Sequence, residues 1–382
     1  MGSSEFDTSV FDKITECGEV EQRISLAHQL ARFVQDTEVP AAERDAVVPA
    51  MVALATDPVI RVRRALALAV IGAEKLHADI VFTIAADTDE ISLNFILKTP
   101  ALDAWRMMAI LKVGEPSKQQ AIATRGDLGA QVIEHIVEHG AAEVVARLLD
   151  NPCVALEATV LKRLYVRLTD DPCVIDRLLD RDDLPLEIRL MHAKRTSKRV
   201  YHLVAQRGWM AANDAEEFVI DTEESTFVKI LEDASLAELD RLIPFMCDQQ
   251  FLTPSIVLRA ACAGDLELVE RALAYLASVP AKRVRSLASG RGLKTLLAKA
   301  GMPEASLMLM RAVVDVAADA RARQDDLTVE GFGCKVIEFI MTRYDTLMAD
   351  DKSALLDMIA KFGVGRTKRI ATRVQDDLKQ AA

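Results

Sequence analysis

Two histidines with a glutamate between them form the pattern with the most specific chemistry in this sequence. His135, Glu138 and His139 fit H-x-x-E-H, the pattern of inverted zinc proteases. Residues four apart share one face of a helix, so both imidazoles could bind one zinc ion while Glu138 activates its water. A catalytic zinc also needs a third protein ligand, and Gly140 ends the helix beside solvent. We therefore expect a solvated histidine pair, with no catalytic, cofactor-binding or metal-binding residues in the chain.

A third histidine has the neighbour that phosphoryl transfer requires. His28 lies in a helical stretch with Arg32 one turn farther on, and a cation stabilises the charge of a transferred phosphoryl group. The surrounding residues carry no further signature, and a histidine in an amphipathic helix more commonly packs or faces solvent. A helical enzyme, using zinc at His135 and His139 or a phosphoryl-accepting His28, is left open as the second alternative to a non-catalytic function.

Two cysteines follow prolines at predicted helix starts. Cys153 follows Asn151-Pro152 and Cys173 follows Asp171-Pro172, and the positive end of a helix dipole is one device that makes a thiol reactive. An ordinary half-buried cysteine explains the same pattern. The six cysteines of the chain are widely spaced, without a C-x-x-C pair. This distribution favours a reducing compartment, and we expect a cytoplasmic protein.

Helices must position these side chains, because helix-start signals recur along the chain. Five pairs join an N-cap residue to a proline, which suits the first position of a helix. They are Asp57-Pro58, Thr99-Pro100, Asn151-Pro152, Asp171-Pro172 and Thr253-Pro254. Apolar residues at helical spacing predict helices from residue 57 to 70 and over 130–139, 142–149, 155–168, 184–193 and 266–276. No alternating run indicates a β-hairpin, so we predict an all-α fold.

Composition excludes several classes of protein. The 382 residues are 51% hydrophobic and 27% charged, which is enough for a substantial core and rules out a disordered chain. Aromatic residues make up only 5%, which favours helices over strands. The net charge of −11 repels a phosphate backbone, so nucleic acid is an unlikely partner. No apolar stretch is long enough to span a bilayer, and we expect no membrane partner.

The spacing of the predicted helices indicates stacked helix pairs of roughly 40 residues. We predict a HEAT-like, right-handed helical-repeat solenoid, with degenerate repeats because the cap–proline pairs are irregularly spaced. The first six residues are typical of cloning-derived sequence, so residues 1–10 are expected outside the fold. The repeats are predicted over 11–209. A basic stretch that ends at Arg207 gives way to an acidic one, so a C-terminal helical domain is placed at 210–382, with its continuity with the first domain left open.

Two resemblances agree with this prediction. The segment around Asp57 resembles the second helix of a HEAT repeat, with the aspartate in the turn and Arg63 one turn into the helix. More broadly, the chain resembles an uncharacterised bacterial family, a domain of unknown function with HEAT-like helices. The segments that carry this resemblance are 23–27, the Asp57 segment, 122–125, 263–269 and 299–303. It implies a helical-repeat fold and an adaptor or regulatory role, without catalytic residues to transfer.

Four arginines on two predicted helices are the candidate partner-binding surface. They are Arg61, Arg64, Arg163 and Arg167. In a HEAT-like stack the second helices line the concave face, where aligned arginines would form a basic ridge. We therefore predict a non-catalytic protein-interaction scaffold or regulatory adaptor that binds a protein partner, acidic if it binds this ridge. Nucleic-acid binding on the same face is the first alternative, and a homo-oligomer is left open.

Overall fold

A computed structural model describes residues 9–232, 234–323, 328–343, 349–363 and 365–381. Within these ranges every regular element is an α-helix, which confirms the all-α prediction. Of the ten residues predicted to lie outside the fold, residues 1–8 lie outside the described ranges, whereas Ser9 and Val10 begin the first helix. The chain divides into two compact units, residues 1–184 and 185–382.

Unit 1, residues 1–184, contains thirteen α-helices in its described part. They are α1 (Ser9–Cys17), α2 (Val20–Gln35), α3 (Ala41–Ala46), α4 (Val48–Ala55), α5 (Ile60–Val70), α6 (Ala78–Ala85), α7 (Asp89–Lys98), α8 (Ala104–Val113), α9 (Pro116–Ala123), α10 (Ala130–His139), α11 (Ala142–Leu149), α12 (Ala158–Leu168) and α13 (Pro172–Leu179). The sequence predicted α10 and α11 with these bounds, because Gly140 separates two amphipathic runs.

The helices of unit 1 pack in two rows. Consecutive members contact one another in the first row, which consists of α2, α5, α7, α9, α11 and α13. The second row consists of α4, α6, α8, α10 and α12 and is continuous in the same way. Each second-row helix also contacts the first-row helix that follows it in the sequence. Large apolar side chains such as Leu66, Phe95 and Ile136 fill the space between them and are fully buried.

Side chains join successive first-row helices across short sequence separations. Arg23 of α2 pairs with Asp57 at 2.7 Å, and Gln35 at the other end of α2 donates to the carbonyl of Ala69 at 2.9 Å. Both bonds span 34 residues, so α2 and α5 run parallel. Three further bonds span 24 to 32 residues. They are Arg63 to Asp87, Lys118 to the carbonyl of Ala86, and Arg177 to Asp150.

Three of the five predicted helix starts are turns instead. In each, the side-chain oxygen accepts the backbone N–H two residues farther on, at 2.8, 3.2 or 3.0 Å, and the next helix begins later. These residues are Asp57, Thr99 and Asn151. The other two pairs begin helices as predicted, because Asp171 and Thr253 each accept an N–H bond from the first turn. Asp, Asn and Thr suit both roles, so the residue type does not separate a turn from a cap.

Unit 2, residues 185–382, contains eleven α-helices in its described ranges. They are α14 (Leu186–Gln206), α15 (Ala212–Leu231), α16 (Leu236–Asp248), α17 (Pro254–Ala263), α18 (Leu266–Leu276), α19 (Ala281–Ala288), α20 (Leu293–Lys299), α21 (Ser306–Arg323), α22 (Val329–Arg343), α23 (Ala349–Phe362) and α24 (Gly365–Ala381). Across the described parts of both units, no helix combines the length and the apolarity that a membrane crossing requires.

Helix α17 lies at the centre of unit 2. It contacts α15, α18, α21, α22 and α23, and every residue from Ile256 to Cys262 is buried. Burial raises the pKa of the Cys262 thiol to about 12, so this thiol stays protonated. Arg259 is the charged residue in that run, and only 4% of it is exposed. A buried guanidinium requires carboxylate partners, because an unpaired charge in the interior is costly.

The guanidinium of Arg259 donates to groups on α15 and to the Lys361 carbonyl of α23. Its guanidinium donates to Asp221 at 2.7 Å and to Glu224 at 3.0 Å, both on α15. The hydroxyl of Thr253 also donates to Glu224, at 2.8 Å, and Lys368 of α24 lies 3.4 Å from Asp221. We call Arg259, Asp221, Glu224, Thr253 and Lys368 the Arg259 cluster. Together they tie α15 and α24 to the central helix.

A long hairpin of α14 and α15 begins unit 2. The two helices have 21 and 20 residues, about 30 Å at 1.5 Å per residue. Beyond Leu190 no described residue of α14 is fully buried. Gly208, with φ at +65°, ends α14, and the Trp209 N–H donates to the Val204 carbonyl at 3.2 Å. This closing bond fixes the direction in which the hairpin turns.

The change from basic to acidic sequence coincides with the turn of this hairpin. Helix α14 contains five lysines and arginines and one glutamate, whereas α15 contains six acidic residues and one lysine. Lys194 and Glu223 join the two helices at 2.5 Å. The compact units divide at Leu184 and Pro185, earlier than the boundary at residue 210 that the charge pattern suggested.

Candidate functional site

The four arginines predicted to bind a partner lie in both rows of unit 1. Arg61 and Arg64 are on α5 in the first row, and Arg163 and Arg167 are on α12 in the second row. Helix α5 contacts α2, α4 and α7, whereas α12 contacts α10 and α13. The structure therefore brings the arginines together as two pairs on separate helices, and a single ridge of all four stays a prediction.

The two arginines of α5 form ion pairs with neighbouring first-row helices. Arg61 pairs with Glu21 of α2 at 2.8 Å, and both side chains are exposed. Arg64 pairs with Glu90 of α7, also at the surface. Exposed ion pairs contribute about 0–1 kcal/mol, so a competing carboxylate can replace either glutamate at small cost.

The arginines of α12 differ from each other in pairing. Arg163 makes two hydrogen bonds to Glu134 of α10, at 2.5 and 2.9 Å, and lies 3.5 Å from Glu138. These bonds lower the pKa of Glu134. Arg167 has no carboxylate partner among the residues that the structure describes. Glutamates thus neutralise three of the four arginines, which weakens the attraction of this unit for a phosphate backbone.

Two exposed leucines accompany the arginines of α5. Leu68 lies two turns after Arg61, and Leu97 lies two turns after Glu90. Residues seven apart share a helix face, and the ion pair from Arg64 to Glu90 joins the two faces. We call Arg61, Arg64, Leu68, Glu90 and Leu97 the α5–α7 face. Sequence reasoning missed the leucines, because apolar periodicity does not tell which apolar positions a neighbouring helix covers.

The histidine pair lies at the end of α10. The rings of His135 and His139 are 5.0 Å apart, and a carboxylate oxygen of Glu138 is 3.7 Å from Nε2 of His139. Burial, with the charges of His139 and Lys112, lowers the pKa of His135. No group of three histidines, cysteines, aspartates or glutamates within the described ranges is arranged to hold a metal ion.

Replacing His135 and His139 together with alanine should remove no zinc and change the free energy of unfolding by less than about 1 kcal/mol. The reason is that His139 is exposed and His135 is only half-buried, so neither side chain fills the core. Zinc content after dialysis and urea unfolding of both proteins would check this. One tightly bound equivalent of zinc in the wild type, lost in the double variant, would reverse the non-catalytic assignment.

The remaining chemistry-bearing residues lie apart from one another. His28 and Arg32 are both exposed on α2, one turn apart. Cys153 is exposed in the turn after α11 and not at a helix start, because α12 begins at Ala158. Cys173 is exposed in the first turn of α13, where Arg177 donates to its sulfur at 2.9 Å. These side chains form no nucleophile–base pair with one another.

A groove in unit 1 is lined by several cationic side chains. Its volume is about 440 Å³, and its lining includes Arg44, Lys75, His77 and Arg106. Arg106 already donates to the carbonyls of Ala101 and Leu76, at 2.6 and 2.9 Å. The Arg106 guanidinium therefore stabilises the turn before α8 through these two hydrogen bonds.

The exposed apolar residues of unit 2 are concentrated on the α14–α15 hairpin. They include Val200, Leu203, Trp209, Met210 and Phe218. Trp209 is 67% exposed although tryptophan is the largest apolar side chain of the chain. The sequence signal that could have found this feature is a Gly-Trp-Met turn between a basic and an acidic helix.

Comparison with known proteins identifies a family. The model of the family described as "Uncharacterised protein conserved in bacteria (DUF2336)" matches residues 91–332, which is more than half of the chain. The matched region includes α12, the α14–α15 hairpin and most of the Arg259 cluster, whereas α5 precedes it. No curated protein and no solved structure shows a significant match. The family resemblance expected from the sequence is confirmed, and the chain belongs to this bacterial family.

Proposed function

We propose that the protein is a non-catalytic interaction scaffold or regulatory adaptor, and that unit 1 is a HEAT-like, right-handed solenoid with degenerate repeats. Three features support the repeat: the two rows of alternating helices, the parallel course of α2 and α5, and the side-chain bonds between successive first-row helices. The separations of 24 to 34 residues are irregular, as degenerate repeats require. Stacked repeats bury the sides that face their neighbours and leave long exposed faces for a partner.

The observation that carries the proposed function is the α5–α7 face. Protein interfaces combine apolar side chains at the centre with arginines, which are enriched there relative to lysine and glutamate. Leu68 and Leu97 provide the apolar part, and Arg61 and Arg64 lie beside them in weak surface pairs. An acidic side chain of a partner can take the place of Glu21 or Glu90. The favoured partner is therefore a protein segment with one apolar and one acidic side.

The same combination of side chains occurs on α12. Val166 is exposed between Arg163 and Arg167. This helix offers a second contact for the same partner or a contact of its own. The glutamates that pair with three of the arginines, together with the net charge of −11, favour a protein over nucleic acid. The six free cysteines favour a reducing compartment, and we assign the protein to the cytoplasm.

Reversing the charge of one arginine on α5 and one on α12 tests this function. A partner is first captured from the bacterial host with the 382-residue chain, and its affinity is then measured for the variant Arg64→Glu, Arg167→Glu. We expect at least about tenfold weaker binding and a smaller dependence on salt, because two attractive charges become repulsive. Unchanged thermal unfolding would show that the fold is intact. The variant Leu68→Ser should weaken binding without changing its salt dependence.

An arginine in unit 2 provides a matched control. Arg283 is exposed on α19, and Arg283→Glu makes the same kind of charge reversal at one residue, far from α5 and α12 in the sequence. It should leave the affinity and the salt dependence as in the wild type. If Arg283→Glu weakens binding while the first variant does not, the partner binds the basic side chains of α19 and α20, which include Arg283 and Lys294, and the proposed surface is wrong.

A further inference from the structure

Six uncharged residues line one flank of the α14–α15 hairpin. On α14 it consists of Thr196, Val200 and Leu203, and on α15 of Phe218, Thr222 and Ser225. Both sets have the spacing i, i+4, i+7, which keeps them on one face of each helix. Ala215 and Val219 of α15 are buried, and Ser197 and Tyr201 of α14 are half-buried, so we take these positions as the sides that face the partner helix. In an antiparallel pair of right-handed helices, the two uncharged faces then lie on the same side. We call these six residues the hairpin flank.

The hairpin flank is exposed, and its apolar side chains, Val200, Leu203 and Phe218, are the ones nearest the turn. All six residues are exposed, and Leu203 and Phe218 are about half exposed. The hydroxyl of Thr222 donates to the carbonyl of Phe218 at 2.8 Å, inside its own helix. The hydroxyl proton of Thr222 is therefore already used within the helix. Three neighbouring apolar side chains exposed on a folded domain favour an interaction site at this end of the hairpin.

The charges beside the flank indicate which partner fits it. We propose that the hairpin flank is the interface between two copies of this chain. Three acidic residues of α15 already pair within the chain, namely Asp221, Glu223 and Glu224. Near the turn of the hairpin the exposed charges are Lys198, Arg199 and Arg207 on the side of α14, and Asp214, Glu216 and Glu217 on the side of α15. A two-fold axis along the hairpin places α14 of one copy over α15 of the other, so opposite charges meet at both contacts. A two-fold axis in the interface but perpendicular to the helices would instead place α14 over α14 and α15 over α15, so like charges would meet.

The geometry of a hairpin suits such an association. Two antiparallel helix pairs that pack through apolar positions three and four apart make a four-helix bundle. At the end of the hairpin, Arg207 borders the flank on the side of α14 and Asp214 borders it on the side of α15. The same two-fold axis brings Arg207 of one copy toward Asp214 of the other. The proposed function concerns unit 1, so this interface can exist whether or not that function holds.

The oligomeric state of the full-length chain tests the apolar part of the proposal. Sedimentation equilibrium should show a dimer for the wild type. The double variant Leu203→Ser, Phe218→Ser should dissociate at least about tenfold more readily, because each change removes apolar area from the interface. Ile220 provides a matched control, since it is 47% exposed, as Leu203 is at 48%, but lies on the opposite flank of α15. Ile220→Ser should leave the dimer unchanged.

A charge exchange tests the pairing of helices. Arg207→Glu alone and Asp214→Arg alone should each weaken the dimer, because each opposes like charges in both symmetry-related contacts. An equimolar mixture of the two variants should form the dimer again, since every contact then joins opposite charges. Circular dichroism of each variant would show that the helices remain. A mixture that stays as weakly associated as its components would overturn the arrangement.

A monomeric wild type would overturn the proposal directly. If the chain remains monomeric from low to high micromolar concentration, the flank is no interface between copies. Co-sedimentation of that monomer with phosphatidylserine vesicles, abolished by Trp209→Ser, would then assign the tip of the hairpin to a lipid surface. Dimers that persist in both the flank variant and the charge variants would place the interface elsewhere on the chain.

Discussion

Replacing Arg259 with alanine should lower the free energy of unfolding of unit 2 by about 3–5 kcal/mol. The variant removes the cation and leaves Asp221 and Glu224 facing each other on α15, with Glu224 almost fully buried. An unpaired buried carboxylate costs far more than the lost bond itself. Urea unfolding followed by circular dichroism would measure the change, and its slope would show whether cooperativity is retained.

An exposed arginine pair in the same unit is the control for this prediction. Arg285 makes two hydrogen bonds to Glu270, at 2.8 and 2.7 Å, but 60% of its side chain is exposed. Arg285→Ala should cost less than about 1 kcal/mol, because solvent replaces the lost partner. If Arg259→Ala and Arg285→Ala lower the free energy of unfolding equally, burial does not determine how strongly the Arg259 cluster stabilises unit 2.

The contribution of Arg259 to the free energy of unfolding should also depend on pH. Burial raises the pKa of Asp221, but the hydrogen bond and the charge of Arg259 outweigh it, and the net pKa lies below the ordinary value of 3.8. A carboxyl with a lowered pKa in the folded state contributes stability above about pH 4, which is lost as the pH falls through the folded pKa. The difference between wild type and Arg259→Ala should therefore decrease on acidification. A constant difference from neutral pH to pH 3 would contradict this origin.

Replacing Asp57 with alanine should destabilise unit 1 by about 3 kcal/mol. The change removes the acceptor of the Val59 N–H and leaves Arg23, only 14% exposed, without its carboxylate. Asp57→Asn keeps an oxygen for the turn and loses the charge, so its cost should lie between those of the alanine variant and the wild type. Thermal and urea unfolding would rank the three proteins.

The matched comparison for Asp57 is a true helix cap. Asp171 accepts the Val174 N–H at 3.1 Å at the start of α13. Loss of such a cap costs about 1 kcal/mol, so Asp171→Ala should be the milder change. If Asp171→Ala costs as much as Asp57→Ala, the bond from α2 to the turn before α5 adds nothing beyond local capping.

Sequence periodicity predicted the helices well where glycines or alternating polarity mark their ends. Helix α18 has the predicted bounds, 266–276, because Asp265 caps it and the left-handed Gly264 precedes it. The sequence prediction failed where one residue type can either cap a helix or close a turn. Asp57, Thr99 and Asn151 have the side chains of helix caps, yet their oxygens close turns, and the choice depends on whether a neighbouring helix supplies a partner such as Arg23.

The candidate surfaces were less predictable than the helices. Arg61 and Arg64 were found from their charge, but their pairing with Glu21 and Glu90 depends on contacts between helices that local spacing does not encode. The exposure of Leu203 and Phe218 has the same origin, because an apolar stripe is buried or exposed according to what packs on it. A single sequence reveals the apolar stripe, but which element packs on it depends on the fold.

The two units also differ in when their contacts can form during synthesis on the ribosome. The bonds that join the first-row helices of unit 1 span 24 to 34 residues, so each can close soon after its second partner emerges. In unit 2 the Arg259 guanidinium donates to the Lys361 carbonyl, 102 residues away, and Lys368 reaches Asp221 across 147 residues. The central helix α17 therefore leaves the ribosome carrying Arg259, a cation that is buried in the folded unit. The surroundings of Arg259 are complete only after α24 has been translated. A nascent chain can assemble unit 1 in order, whereas unit 2 must wait for its last helix.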